Sequence, residues 1–137
     1  GTMNTADRSI ALVDAALRRR FHFHPFFPDA PPIKGMLHRW LKTNNPQLIG
    51  VAAKVDRANE LLDDRNLAIG PSHFMKKGLT EETIQRIWRR TVLPYVEDQF
   101  FDDHTKTIQF QYESLSLANP PKIDATQESK DNDSTTT

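Results

Sequence analysis

The chain has no cysteine, no formal net charge and no long apolar run. Without cysteine there is neither a disulfide framework nor a thiolate metal site, and a reducing, cytoplasmic location is the expectation. Eighteen basic residues balance eighteen acidic ones, so contact with nucleic acid or an anionic membrane would need a local patch rather than a global field. No stretch approaches the roughly 20 apolar residues that span a bilayer. The N-terminus also lacks the basic-then-apolar order of a signal peptide. What is there is 137 residues, 37% hydrophobic and 26% charged, which is one domain's worth of ordinary globular composition, or part of a domain with a tail.

Apolar spacing organises the chain. Residues 9–17 read as a helix: Ser9 can cap its first turn, and Ile10, Val13, Ala16 and Leu17 recur at helical spacing. Phe21-His22-Phe23-His24-Pro25 alternates as a short strand does, and Pro25 ends the ladder. Pro28, Pro31 and Pro32 then make a stiff connection. Beyond it the period becomes 3.6. Ile33, Met36, Leu37, Trp40 and Leu41 form one stripe, stopped by Asn44-Asn45-Pro46. Leu48, Val51, Val55, Ala58 and Leu62 form a second, with Lys54, Asp56 and Arg57 on the opposite face. Thr80 is placed to cap a third helix bearing Ile84, Ile87, Trp88 and Val92, which Pro94 should break or restart. These stripes predict the core of a helical bundle. After Asn119-Pro120-Pro121 the chain turns polar and should be disordered.

Four groups of residues could carry chemistry. Asn4, Thr5 and Asp7 sit in a polar turn; an asparagine amide offers both donor and acceptor and can bind a phosphate oxygen and a water together. The same residues also suit a plain turn and helix cap. Arg18, Arg19 and Arg20 follow a short helix later, and an arginine fork matches phosphate oxygens; charge at a helix C-terminus and solvated surface is the plainer reading. A helix over 9–17 would rise roughly 14 Å, so Asn4 and the arginines should not reach one phosphate within one chain. His22 and His24 would share a strand face, but no acidic or thiol partner completes a ligand pattern, so no metal is expected. Gly70 and Ser72 open a short helical stretch whose amides can meet an anion or a base edge, or which is simply a loop.

Three segments occur in a telling order: Gly1-Thr2-Met3-Asn4-Thr5-Ala6-Asp7-Arg8-Ser9, then Ala16-Leu17-Arg18-Arg19-Arg20-Phe21, then Ile69-Gly70-Pro71-Ser72-His73-Phe74-Met75. In that order they resemble the C-terminal half of an AAA+ motor of the dynein-related group, nearest to the McrB-type subunits of 5-methylcytosine-specific restriction systems. The resemblance implies an α/β fragment, mostly α. Residues 1–28 would be the end of a P-loop core sheet, 29–104 a helical lid, 105–118 an unassigned extension and 119–137 a disordered tail.

By the same resemblance Asn4 is the sensor that positions attacking water, with Thr5 and Asp7 completing its loop. Arg19 and Arg20 would reach a neighbouring subunit's nucleotide, with Arg18 a weaker candidate, and Gly70 and Ser72 would lie near the base. It further implies GTP or ATP with Mg²⁺, a homo-oligomeric ring, expected to be a hexamer, a partner endonuclease, and DNA contacted through parts outside this chain. No G-x-x-x-x-G-K-[ST] loop and no acidic strand end for Mg²⁺ are present, so the chain alone should not hydrolyse nucleotide, and truncation is the expectation. A sheet stripped of its P-loop strands would leave an open edge, predicting marginal stability or self-association. Two alternatives stand beside this reading: an ATP-driven remodeller of the MoxR or dynein type acting on protein complexes, and a non-enzymatic helical interaction module.

Overall fold

A computed structural model describes residues 19–101 and 103–115. The stretch holding Asn4, Thr5, Asp7 and Arg18, the helix expected over 9–17 and the polar tail lie outside the described residues.

Helix α1 spans Met36–Asn44. Gly35 precedes it at φ 69°, a left-handed conformation that side chains resist, and turns the chain out of the proline-rich connection. Leu37 and Leu41 are its buried positions, and Asn45 ends it with its amide on the Leu41 carbonyl. A 3-10 turn over Pro46–Leu48 leads into α2, Gly50–Leu62. All five residues of the second stripe are buried, and Ala52 joins them. Helix α2 stops at Asp63 in the left-handed conformation, its N–H on the Asn59 carbonyl.

Thr80 caps α3, Glu81–Ile87, its hydroxyl accepting from the Thr83 amide at 3.2 Å. Pro94 does not break this helix. The backbone passes through a π-helical turn over Trp88–Val92 and restarts as α4, Leu93–Phe100, with the proline in its first turn. Proline has no N–H to give and its ring crowds the carbonyl four residues back; a widened turn just before it relieves both problems. The turn also keeps Ile84, Trp88, Val92 and Val96 on one buried side.

A short helix α5, His104–Ile108, is capped by the Asp103 carboxylate on the Lys106 amide. The chain beyond it, unassigned from sequence, completes the core. Phe110, Tyr112 and Leu115 are buried in the same cluster as α1 to α4. Trp88 is the hub: its ring lies 5.8 Å from Phe74 and 5.5 Å from Tyr112, and its Nε1 donates to the Phe110 carbonyl at 2.8 Å.

Residues 21–25 carry no strand, and no strand occurs among the described residues. Alternation marks which side chains share a face, but a strand exists only where a second strand supplies a ladder, and none lies beside this segment among the described residues. The end of a core sheet is therefore not seen, and the described part is helical.

Candidate functional site, a lid and its clamped loop

The sequence-predicted positions divide sharply. Arg19 and Arg20 lie in a turn and are exposed. They precede an irregular segment in which Phe21, Phe23 and Phe26 are 64%, 52% and 66% exposed. Gly70 and Ser72 sit far along the chain in a loop on the helical body. Among the described residues no ion pair joins Arg19 or Arg20 to any partner, the loop included. His22 and His24 are both exposed, and no group of three or more potential metal ligands comes together among the described residues.

The loop is the better defined of the two. Its 3-10 turn, Pro71–Phe74, is anchored by Phe74, fully buried against Trp88. Both ends are held by asparagine amides. Asn59 of α2 accepts from the Ile69 amide at 2.6 Å and donates to the Ile69 carbonyl at 3.1 Å, satisfying both backbone groups of one residue. The buried Asn45, at the end of α1, donates to the Lys76 carbonyl at 3.1 Å. Asparagine suits this task because its single amide presents a donor and an acceptor side by side. Gly70 itself is extended, with φ −74° and ψ 156°, and a side chain there would meet open space. Its value is therefore neither turn geometry nor core packing. Ser72 is exposed, and His73 is exposed beside it with its ring edge-on to Phe74 at 6.3 Å.

Between this loop and the start of α1 lies a shallow recess, bounded by Pro28, Ile33, Met36, His38, Asp56 and Pro71. The Asp56 carboxyl is held above its ordinary value of 3.8, chiefly because burial disfavours its charge and secondly because Glu60 is near; His38 and Lys34 pull the other way. The stretch before α1 is tied to the body by Arg65, just beyond α2. Its guanidinium lies 4.3 Å from the Phe27 ring and grips Asp29 with Nε and Nη2 at 2.9–3.0 Å.

Sequence reasoning found the loop and missed what holds it. Asn45 read only as part of a helix stop, and nothing in the spacing singled out Asn59. Lys54 was placed on a charged outer face, yet its Nζ donates to the Tyr112 carbonyl at 2.7 Å and stands 3.7 Å from that ring's centre. The Tyr112 hydroxyl in turn donates to Glu81 at 2.7 Å; burial first, then that bond, push its ionisation well up. No local signal marks such pairs, because the partners are tens of residues away.

Residues 48–108, which run from the end of the 3-10 turn before α2 through α5, match the family model of the McrB α-helical lid domain. The chain is McrB-related. It is 33% identical over 120 residues to the type IV methyl-directed restriction enzyme EcoKMcrB subunit of Escherichia coli strain K12, an alignment that covers 77% of this chain and 26% of that protein. The chain therefore spans about a quarter of that relative's length. No solved structure matches it. The matched residues hold the second and third apolar stripes, the clamped loop and the Trp88 hub. No helix among the described residues is long and apolar enough to cross a membrane.

Proposed function

We propose that this chain is the lid-bearing part of an AAA+ nucleoside triphosphatase subunit, one that drives DNA translocation in a modification-dependent restriction system. The observation that carries the reading is the match of residues 48–108 to the McrB lid, supported by the 33% identity that extends over most of the chain. The lid has no catalytic constellation of its own among the described residues. Its part is to present the loop of Gly70 and Ser72 toward a nucleotide held elsewhere and to move with it. A loop pinned at Ile69 and Lys76 by rigid helices suits that part, because positioning on rigid elements is what gives a site its precision.

In this reading GTP or ATP binds with Mg²⁺ on P-loop strands outside this chain. Asn4 orients the attacking water from the same subunit, with Thr5 and Asp7 shaping its loop. Arg19 and Arg20, with Arg18 beside them, stabilise charge on the phosphoryl group of the next subunit in a ring, which is expected to be a hexamer. A partner endonuclease would use the translocated DNA. The exposure of Arg19 and Arg20 supports action on a neighbour, since neither is committed to a carboxylate among the described residues.

The test has two stages. The reading frame upstream of Gly1 should encode a Gly-rich Lys loop; a gene without one ends the proposal. In the protein carrying that loop, Arg19→Ala with Arg20→Ala should lower GTP or ATP turnover by about 10³-fold or more while nucleotide binding persists. Mixing that variant with an Asn4→Ala subunit should restore part of the turnover. Mixed rings that stay inactive would exclude action in trans.

A further inference from the structure

The residues that match the McrB lid stop at Ile108, yet the core does not. Beyond α5 the chain runs through turns, with no helix or strand of its own, and buries Phe110, Tyr112 and Leu115. The amides of Phe110, Gln111, Ser114 and Leu115 bond back within three or four residues, so attachment to the body comes from long-range links and the buried side chains. Trp88 Nε1 donates to the Phe110 carbonyl at 2.8 Å, and Lys54 Nζ to the Tyr112 carbonyl at 2.7 Å. The Tyr112 hydroxyl donates to Glu81 at 2.7 Å. Tyr112 therefore joins α2, which carries Lys54, to α3, which begins at Glu81.

From Tyr112 a row of rings runs to the loop. Tyr112 stands edge-on to Trp88 at 5.5 Å, Trp88 lies 5.8 Å from Phe74, and Phe74 meets the exposed His73 at 6.3 Å. Trp88 and Phe74 are wholly buried. In a close-packed interior a ring that loses a neighbour forfeits those contacts outright, and the next ring is held less firmly. The loop thus has two anchors of different kinds: the Asn59 amide at Ile69, and the Phe74 ring on Trp88. The second lies in the row that begins at Tyr112, and the first does not.

We propose that residues 109–115 are a strap that sets the order of the loop. Closed, the strap seats Trp88 and so fixes the Phe74 end. Released, it frees that end while Asn59 keeps the Ile69 end clamped. Release exposes three apolar side chains and leaves the Trp88 N–H without its acceptor, so the closed form predominates. The device acts within one chain and needs no nucleotide, so it stands or falls apart from the proposed motor.

Amide hydrogen exchange on the full 137-residue chain, read residue by residue, tests it. Tyr112→Ala removes the ring contact with Trp88 and the bond to Glu81. The Phe110 and Leu115 amides should then exchange about tenfold faster or more, and the Met75 amide, bonded to Ser72, should accelerate with them. The Ile69 amide, on Asn59, and the Asn45 amide, on Leu41, should keep their wild-type rates. Tyr112→Phe keeps the ring and loses only the hydroxyl, so the same pattern should appear at about threefold. Should Tyr112→Ala fail to fold, Tyr112→Phe decides the question on the same amides. Acceleration at Phe110 and Leu115 with Met75 unchanged would overturn the proposal. So would equal acceleration at Ile69 and Asn45, because residues 109–115 would then be an inseparable part of one cooperative core. Unchanged rates at Phe110 and Leu115 would remove the strap itself.

Discussion

The helical body and the segment leading into it are built on different terms. In the body every large apolar stripe finds a partner, and Trp88, Phe74 and Phe110 are almost wholly buried. In the leading segment Phe21, Phe23 and Phe26 remain exposed beside Arg19 and Arg20, and the chain is first tied back at Phe27 and Asp29, through Arg65. The body therefore carries its own stability, whereas the leading segment presents aromatic and cationic surface for something else to cover. A lid and an interface element would differ in this way: one must hold its shape alone, and the other gains order from its neighbour.

The comparison breaks most visibly at Trp88. Trp88→Ala removes two ring contacts and the bond to the Phe110 carbonyl, and should cost about 3–5 kcal/mol in urea unfolding. A loss under about 1 kcal/mol would mean that the body has no such hub. Asn59→Ala leaves the Ile69 amide and carbonyl without their partner and should cost about 1–3 kcal/mol. Hydrogen exchange at residues 69–70 should accelerate, while the Trp88 side of the core stays protected. Arg65→Ala removes a contact between half-exposed groups, so stability should fall by no more than about 1 kcal/mol. Exchange or proteolysis over residues 26–30 should nevertheless increase, since Arg65 is their tether.

A smaller effect, with a defined sign, is expected at Asp56. Its carboxyl titrates higher in the folded chain than in the unfolded one, so the folded state holds the proton more firmly. That stabilisation is present at low pH relative to neutral pH, and stability falls as pH rises from the unfolded value through the folded one. Asp56→Asn should therefore raise the melting temperature slightly at pH 7. Its advantage should fade below about pH 4, where both forms are neutral. A gain that persists unchanged into acid would point to packing rather than charge. Least of all should move when Phe21, Phe23 and Phe26 become Ser: stability is expected to stay within about 0.5 kcal/mol, because the rings bury little in the body. A larger loss would show that the leading segment belongs to the body's core.

Much of the helical body was readable in advance. Leu37 and Leu41, then Leu48, Val51, Val55, Ala58 and Leu62, then Ile84, Trp88 and Val92, were marked by spacing alone and are buried, while Ile33, Met36, Trp40 and Ile87 of the same stripes are half-buried. The Thr80 cap and the stop at Asn45 were equally local. The strand at 21–25 was not borne out, because alternation proposes a face but cannot supply a partner. Pro94 was expected to break or restart the helix, and the helix restarts there after a π turn that spacing did not announce. The extent of the core was also hidden: Phe110, Tyr112 and Leu115 follow a helix too short to show a period. Of the candidate site, the loop at Gly70 and Ser72 was visible as a glycine-proline turn. Asn4, Thr5, Asp7 and Arg18 lie outside the described residues, and their roles stand as proposals.

Patterns confined to a few turns of chain settle which residues face inward, where helices start and stop, and the McrB relationship written in the motif order. Each depends on neighbours within about four positions, or on residue identity itself. Pairings across distance came only with folding. Asn45 meets Lys76, 31 positions away, Lys54 meets Tyr112 across 58, and Arg65 meets Asp29 across 36. A hydrogen bond needs two groups within about 3 Å, and packing of the chain rather than spacing along it brings such groups together.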